Sequence, residues 1–198
     1  NQNDYTSAFF QGTSEETSGT GSLAQSLGFK YSYGKSDIKE RLYENNSWGV
    51  QDTDLYNFVN LKLSSIKEPF VIGINGATTH DDKIPSSMKK IHYLKNEKIN
   101  NLLNTFHYSD FAMYEFIKEI ENKYPNTIFV IFADHCGSYI DDSLENYMIP
   151  FAIYSKKLIK KKYYDTVISQ RDIAPTVLDR LNYKYKNMPK SFSGKSLL

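Results

Sequence analysis

The sequence lacks several features that would assign it quickly to a class of proteins. Its single cysteine, Cys136, excludes an internal disulfide framework and a metal site built from several thiolates. The 24 Lys and Arg residues nearly balance the 23 Asp and Glu residues, so the sequence has no excess basic charge of the kind that nucleic-acid binding requires. No segment approaches the roughly 18 consecutive apolar residues of a membrane-spanning helix. Function must therefore be inferred from local motifs.

The familiar nucleophile motifs are absent as well. There is no G-x-S-x-G turn and no phosphate-binding G-x-x-x-x-G-K-[ST] loop. Cys136 directly follows His135, but adjacency in sequence does not give the geometry of a nucleophile and its base. The sequence therefore contains none of the familiar nucleophile arrangements.

Apolar runs alternate with helical patterns along the chain. Pro69 to Asn75 and Thr127 to Ala133 are rich in β-branched and aromatic residues, and the second run predicts a fully buried strand. Helical spacing begins at Asp52, and the region from Ile91 to Tyr124 predicts two helical stretches, the second starting at Ser109. We therefore expect an α/β fold with a mainly parallel sheet and helices on both faces, forming a single domain over residues 1–198.

Three polar residues follow the two buried strands and are the candidate site. His80 comes after the first strand, and Asp134 and His135 come directly after the second. Ligands of open α/β sheets bind beyond the carboxyl ends of the strands, and oxygen plus nitrogen ligation suits Mn²⁺ or Zn²⁺ better than Ca²⁺. Asp134 and His135 are thus a predicted metal-binding pair that needs at least one further ligand. The alternative is that Asp134 caps a turn and that His135 and His80 are solvated loop residues.

Several segments taken together resemble the lipoteichoic-acid synthase and phosphoglycerol-transferase branch of the sulfatase and alkaline-phosphatase superfamily. Each is a weak signal alone, but their order and spacing match over nearly the whole chain. The segments are Phe9–Gly12, Leu27–Phe29, Trp48–Asp52, Thr79–His80, Tyr108–Asp110, Phe132–His135 and Gln170–Leu178.

The resemblance implies an alkaline-phosphatase-like fold and a metal-dependent enzyme. It implies that an N-terminal half supplies an acidic metal ligand and a threonine nucleophile, so we expect this chain to be the C-terminal part of the catalytic domain. Asp134 and His135 would complete a site for one divalent cation, with Mn²⁺ preferred over Zn²⁺, and His80 would contact the substrate phosphate. A phospholipid headgroup or glycan substrate is implied, as is an extracytoplasmic domain of a membrane-anchored protein.

The chain also departs from the pattern of that branch. Where the branch tends to have His, Trp and Arg, this sequence has Gln11, Ser18 and Thr20, which changes the expected headgroup contacts. No His lies between Cys136 and Pro150, which favours one metal over two. Two alternatives to a transferase stay open: a sulfuric- or phosphoric-ester hydrolase, and a non-catalytic fragment or degenerate homologue. We expect the chain alone to be inactive, because it lacks the nucleophile.

Overall fold

The computed structural model describes residues 4–137, 143–183 and 193–198. Its helices and strands follow the alternation expected from the sequence. In chain order they are β1 (Thr6–Gln11), α1 (Thr20–Ser26), β2 (Tyr31–Tyr33), α2 (Asp52–Leu63), β3 (Phe70–Asn75), α3 (Glu97–Lys123), β4 (Phe129–Phe132), β5 (Phe151–Tyr154) and α4 (Ile173–Arg180).

The chain divides into two compact units, Asn1–Ile159 and Lys160–Leu198. The first contains the five strands β1 to β5 and helices α1 to α3, and the second contains α4. Across the part of the chain that the structure describes, no helix is both long enough and apolar enough to cross a membrane.

The parallel sheet of the first unit has the strand order β2-β1-β3. Strand β1 pairs with β3 over its full length, from Thr6 opposite Phe70 to Gln11 opposite Asn75. The carboxyl ends of these two strands therefore coincide, and the loops that follow them leave the sheet side by side. This arrangement confirms the predicted α/β class with a parallel sheet.

The core of this unit lies between β1 and two helices. Ala8 and Phe10 are two positions apart, so they point to the same face of β1, and both are fully buried. The helix residues of the same cluster are Leu55, Val59, Leu63, Phe116 and Ile120. The α2 members recur every four residues and so share one face. Burial of each large apolar side chain contributes about 1.5–3 kcal/mol, and the cluster fixes α2 against the central strand.

Helix α3 differs from the sequence prediction. Glu97 to Lys123 form one helix of 27 residues instead of two stretches with the second starting at Ser109. Asn100 and Asn104 are polar, yet both are buried. Asn100 Oδ1 accepts hydrogen bonds from the backbone N–H groups of Tyr93 and Leu94. The buried asparagine side chains thus bind the segment that precedes α3, and the helix is not interrupted at these polar positions.

Strand β4 also differs from its prediction. Only Phe129–Phe132 of the run Thr127–Ala133 is a strand, and it pairs antiparallel with β5 in a separate sheet that has two strands among the described residues. The strand is half-buried, and Phe132 is exposed. A continuous apolar run indicates that both faces favour burial, but it specifies neither the pairing partner nor its direction.

Candidate functional site

Two loops meet where the carboxyl ends of β1 and β3 coincide. We call residues 45–51 the tryptophan loop and residues 76–82 the histidine loop. The histidine loop follows β3 directly and forms a single 3-10 turn at Thr78–His80. The tryptophan loop precedes α2, and the N–H of Val50 donates to the carbonyl oxygen of Gly12 at 2.9 Å. Both loops are therefore attached to the end of the parallel sheet.

Hydrogen bonds join the two loops at their outer parts. Asn46 Nδ2 donates to the carbonyl oxygen of Ala77 at 3.1 Å. The N–H and the hydroxyl of Ser47 both donate to Asp81 Oδ2, at 2.8 and 2.7 Å. Partial burial acts to raise the pKa of Asp81, but the hydrogen bonds from Ser47 and Asp82 outweigh it and hold the pKa below its ordinary value of 3.8. Asp81 is consequently ionised at neutral pH and anchors the tryptophan loop.

A buried carboxylate joins the inner parts of the same loops. Asp52, the first residue of α2, is 2% exposed. Its Oδ1 accepts from the backbone N–H groups of Ala77 at 2.9 Å and Thr78 at 3.2 Å, and its Oδ2 accepts from the Ser109 hydroxyl at 2.5 Å. The Asp52 N–H in turn donates to Thr78 Oγ1 at 2.9 Å. The backbone immediately before His80 is thus fixed to the start of α2.

His80 lies at the centre of a small group of rings. Its imidazole centroid is 4.8 Å from the ring centroid of Trp48, with an interplanar angle of 31°, and 6.2 Å from the imidazole centroid of His135. The structure therefore brings together two of the residues that the sequence placed after separate strands. Trp48 was not among the sequence-predicted site residues, although it belongs to the Trp48–Asp52 motif that carried the resemblance.

The Asp134-His135 pair is arranged to offer an oxygen and a nitrogen on the same side. His135 Nδ1 is 2.7 Å from the carbonyl oxygen of Cys136. Because a carbonyl oxygen only accepts, Nδ1 carries the proton in this contact, and Nε2 keeps its lone pair in the neutral ring. Nε2 lies 3.7 Å from Asp134 Oδ2, and the two side chains are 65% and 69% exposed. This orientation of a histidine by a backbone carbonyl is common for metal-ligating imidazoles.

The donor set is incomplete within the part of the chain that the structure describes. No group of three or more His, Cys, Asp and Glu residues there is placed to hold a metal ion. The chemistry of Asp134 and His135 fits a divalent cation, but at least one more ligand has to come from elsewhere, as the sequence also required. The metal site and the role of His80 stay predictions.

Gln11 has a structural role in this chain. Its side chain is fully buried at the end of β1. Its amide nitrogen donates to the carbonyl oxygen of Ser14 at 2.9 Å, and its amide oxygen accepts from Thr20 Oγ1 at 2.5 Å. The amide therefore closes the loop that follows β1. Of the other two departing positions, Thr20 belongs to this closure and Ser18 is exposed.

In the second unit, the motif Gln170–Leu178 forms a capped helix start. The side chains and backbone of Ser169 and Asp172 make a reciprocal capping box. The N–H of Lys195 donates to the Asp172 carboxylate as well, and this bond and that from the Ser169 N–H hold the pKa of Asp172 below its ordinary value. Thr176 is buried and its hydroxyl accepts from the N–H of Leu197. Asp172 and Thr176 of the motif thus have a structural role, since both bond to backbone groups within the unit.

The parallel sheet, with His80 and His135 gathered where β3 and β4 end, defines an α/β protein whose candidate ligand site lies at strand ends. The family model described as Sulfatase matches residues 1–183, and the chain belongs to the sulfatase family.

Comparison with individual proteins points to one branch of the superfamily. The chain is 25% identical over 144 residues to the lipoteichoic acid synthase-like protein YvgJ of Bacillus subtilis, a match that covers 69% of this chain and 23% of that protein. Its fold is similar to the lipoteichoic acid synthase LtaP of Listeria monocytogenes, with a TM-score of 0.79 and 20% identity over 93% of this chain and 51% of that one. It is also similar to the phosphoglycerol transferase GacH of Streptococcus pyogenes, with a TM-score of 0.58 and 18% identity over 80% and 45%. The chain spans about half the length of these solved relatives.

Proposed function

We propose that this chain is part of a metal-dependent transferase that moves a phosphoglycerol or similar phosphoryl group onto a cell-envelope acceptor. The observation that carries the proposal is the 6.2 Å separation between the imidazole centroids of His80 and His135, beside the Asp134 carboxylate. A phosphoryl oxygen and a divalent cation need to be neighbours during phosphoryl transfer. At this separation His135 can bind the cation while His80 contacts a phosphoryl oxygen.

Each residue has a defined part in this proposal. Asp134 Oδ2 and His135 Nε2 would hold the cation together with ligands from outside the described residues, and Mn²⁺ is favoured because a carboxylate shares the site. When bound, the cation supplies Lewis-acid stabilisation of charge on the phosphoryl oxygens. His80 donates a hydrogen bond to a nonbridging oxygen of the same group, which orients it.

The names of the relatives support the substrate class. YvgJ and LtaP are described as lipoteichoic acid synthase-like and as a lipoteichoic acid synthase, and GacH as a phosphoglycerol transferase in complex with sn-glycerol-1-phosphate. We therefore propose a glycerol phosphate headgroup as the transferred group. A lipoteichoic acid acceptor belongs to the cell envelope, so we place this domain outside the cytoplasm.

Metal binding is tested first, by calorimetry with Mn²⁺ and Zn²⁺. The titrations compare the chain with Asp134→Ala, with His135→Ala and with His92→Ala, a control that alters an exposed histidine outside the site. We expect both site variants to lose the Mn²⁺ heat and the control to keep it. A version extended upstream is expected to bind one equivalent more tightly, since the proposal places the further metal ligands there. Equal heats in all variants would assign Asp134 and His135 to a structural role.

Turnover distinguishes the proposed transferase from an ester hydrolase. The extended protein is incubated with a glycerol phosphate diester or a sulfate ester, with and without an added alcohol acceptor. We expect a transferred glycerol phosphate product that grows with acceptor concentration. Release of free phosphate or sulfate at a rate independent of the acceptor would favour the hydrolase. The 198-residue chain alone is expected to show no turnover of either substrate.

A further inference from the structure

The contact between Trp48 and His80 has no part in the mechanism proposed above. Trp48 is the only tryptophan of the sequence, and it is 49% exposed. A tryptophan that served only to fill the core would be largely buried. Here the indole instead lies against a candidate site residue, with ring centroids 4.8 Å apart and planes tilted by 31°.

The backbone under both rings is fixed. Asn46 Oδ1 accepts from the N–H groups of Trp48 at 2.9 Å and Gly49 at 2.7 Å, so the tryptophan loop is tied to a buried amide. On the other side, the Asp52 carboxylate accepts from the N–H groups of the two residues Ala77 and Thr78. The backbone that carries each of the two rings is therefore held in place, and the indole lies against the imidazole from its own loop.

The side chain of His80 itself is exposed on its loop. A free imidazole turns about two side-chain bonds, and ordering it when a substrate binds has an entropic cost. Packing against an aromatic face favours a narrow set of imidazole orientations, and the 4.8 Å between the ring centroids lies in the range that is favourable for aromatic pairs. The orientation present here is the one that places the His80 ring 6.2 Å from His135.

We propose that Trp48 is a positioning residue for His80: its indole face orders the imidazole toward the Asp134-His135 pair before a phosphoryl group binds. This inference rests on the proposed function for its purpose, but the ordering itself does not depend on any substrate. An aromatic residue is needed at position 48, whereas the indole N–H has no role in the proposal. Phenylalanine should therefore substitute for tryptophan better than leucine does.

The ordering is tested without substrate, by NMR at one fixed pH. The indole ring current shifts the His80 ring protons upfield, and we expect this shift to disappear in Trp48→Leu and to persist in part in Trp48→Phe. The ring protons of exposed His92 are the internal control and should not move. Unchanged His80 shifts in both variants would overturn the inference. If Trp48→Leu fails to fold, as judged by circular dichroism, the Trp48→Phe spectrum alone decides, because benzene and indole give different ring currents.

The consequence for binding is tested by calorimetry with sn-glycerol-1-phosphate, on the protein extended upstream and its Trp48 variants. From the interaction free energy of an aromatic pair, we expect Trp48→Leu to raise the Kd for glycerol phosphate by about two- to tenfold. The Kd of Trp48→Phe should stay closer to that of the unsubstituted protein. In a His80→Ala background the two Trp48 variants should bind equally, since no imidazole is left to order. A Trp48→Leu effect that persists in that background would overturn the positioning role. If the unsubstituted protein does not bind glycerol phosphate, the proposed function fails, and the NMR shifts alone decide this inference.

Discussion

Replacing Asp52 by alanine tests how the histidine loop is held. The carboxylate is 2% exposed and accepts from two backbone N–H groups, those of Ala77 and Thr78, and from the Ser109 hydroxyl. The hydroxyl is only partly buried and can turn to water, but the two amides lose their acceptor. A buried donor without a partner costs about 1–3 kcal/mol. We expect Asp52→Ala to lower the free energy of unfolding by about 3 kcal/mol, as a sum over the two amides.

Asp52→Asn separates the hydrogen bonds from the charge. The asparagine oxygen can still accept from both amides, and its Nδ2 can donate to Ser109 Oγ. What is lost is the interaction of a negative charge with the first turn of α2, worth about 0.3–1 kcal/mol near a surface, and the stronger charge-assisted hydrogen bonds. We therefore expect a loss of about 1 kcal/mol, well below that of the alanine variant.

The assay is urea unfolding followed by far-UV circular dichroism, with hydrogen exchange of residues 76–81 as a local readout. Asp110→Ala is the matched control, because Asp110 is exposed on α3 next to Ser109 and such surface changes stay within about 0.5 kcal/mol. Amide exchange in the histidine loop should accelerate in Asp52→Ala only. If Asp52→Ala were as stable as the control, the Asp52 hydrogen bonds would not hold the loop, and this reasoning would be refuted.

Three further changes probe the surroundings of the site. Asp81 has a folded pKa below its ordinary 3.8 despite partial burial. The stability that the Asp81 carboxylate contributes to the fold is therefore present above about pH 4 and is lost as the pH falls through the lowered pKa. Asp81→Asn should flatten the acid side of a plot of Tm against pH. A Cβ on Gly49 would overlap the carbonyl oxygen of Gly12, so Gly49→Ala should cost about 1–3 kcal/mol in a urea titration, and a neutral result would mean that the two backbones separate easily. Gln11→Leu removes the donor to the Ser14 carbonyl oxygen, while the Thr20 hydroxyl can still donate to the carbonyl oxygen of Thr17. The substitution should lower the free energy of unfolding by about 1 kcal/mol, whereas a change in glycerol phosphate affinity at unchanged stability would assign Gln11 to the ligand site instead.

Much of the fold follows from short-range patterns in the sequence. The apolar run at Pro69 to Asn75 becomes β3, and the helical spacing from Asp52 becomes α2. These elements are determined locally, because the side-chain period sets the type of element and the flanking polar residues set its ends. Two predictions failed where burial depends on distant residues. Asn100 and Asn104 lie within one continuous α3 and bond to the segment before it, and β4 pairs antiparallel with β5.

The candidate site shows the same division between local and long-range information. The sequence by itself determined that His80 and the Asp134-His135 pair stand at strand ends, since that depends only on where apolar runs stop. The tertiary structure alone decided two other features of the site. His80 packs against Trp48, and Asp52 holds the backbone 25 residues further along the chain. The physical reason is that the parallel register of β1 and β3 and the placement of α2 bring the two loops together, and no local pattern encodes that distance.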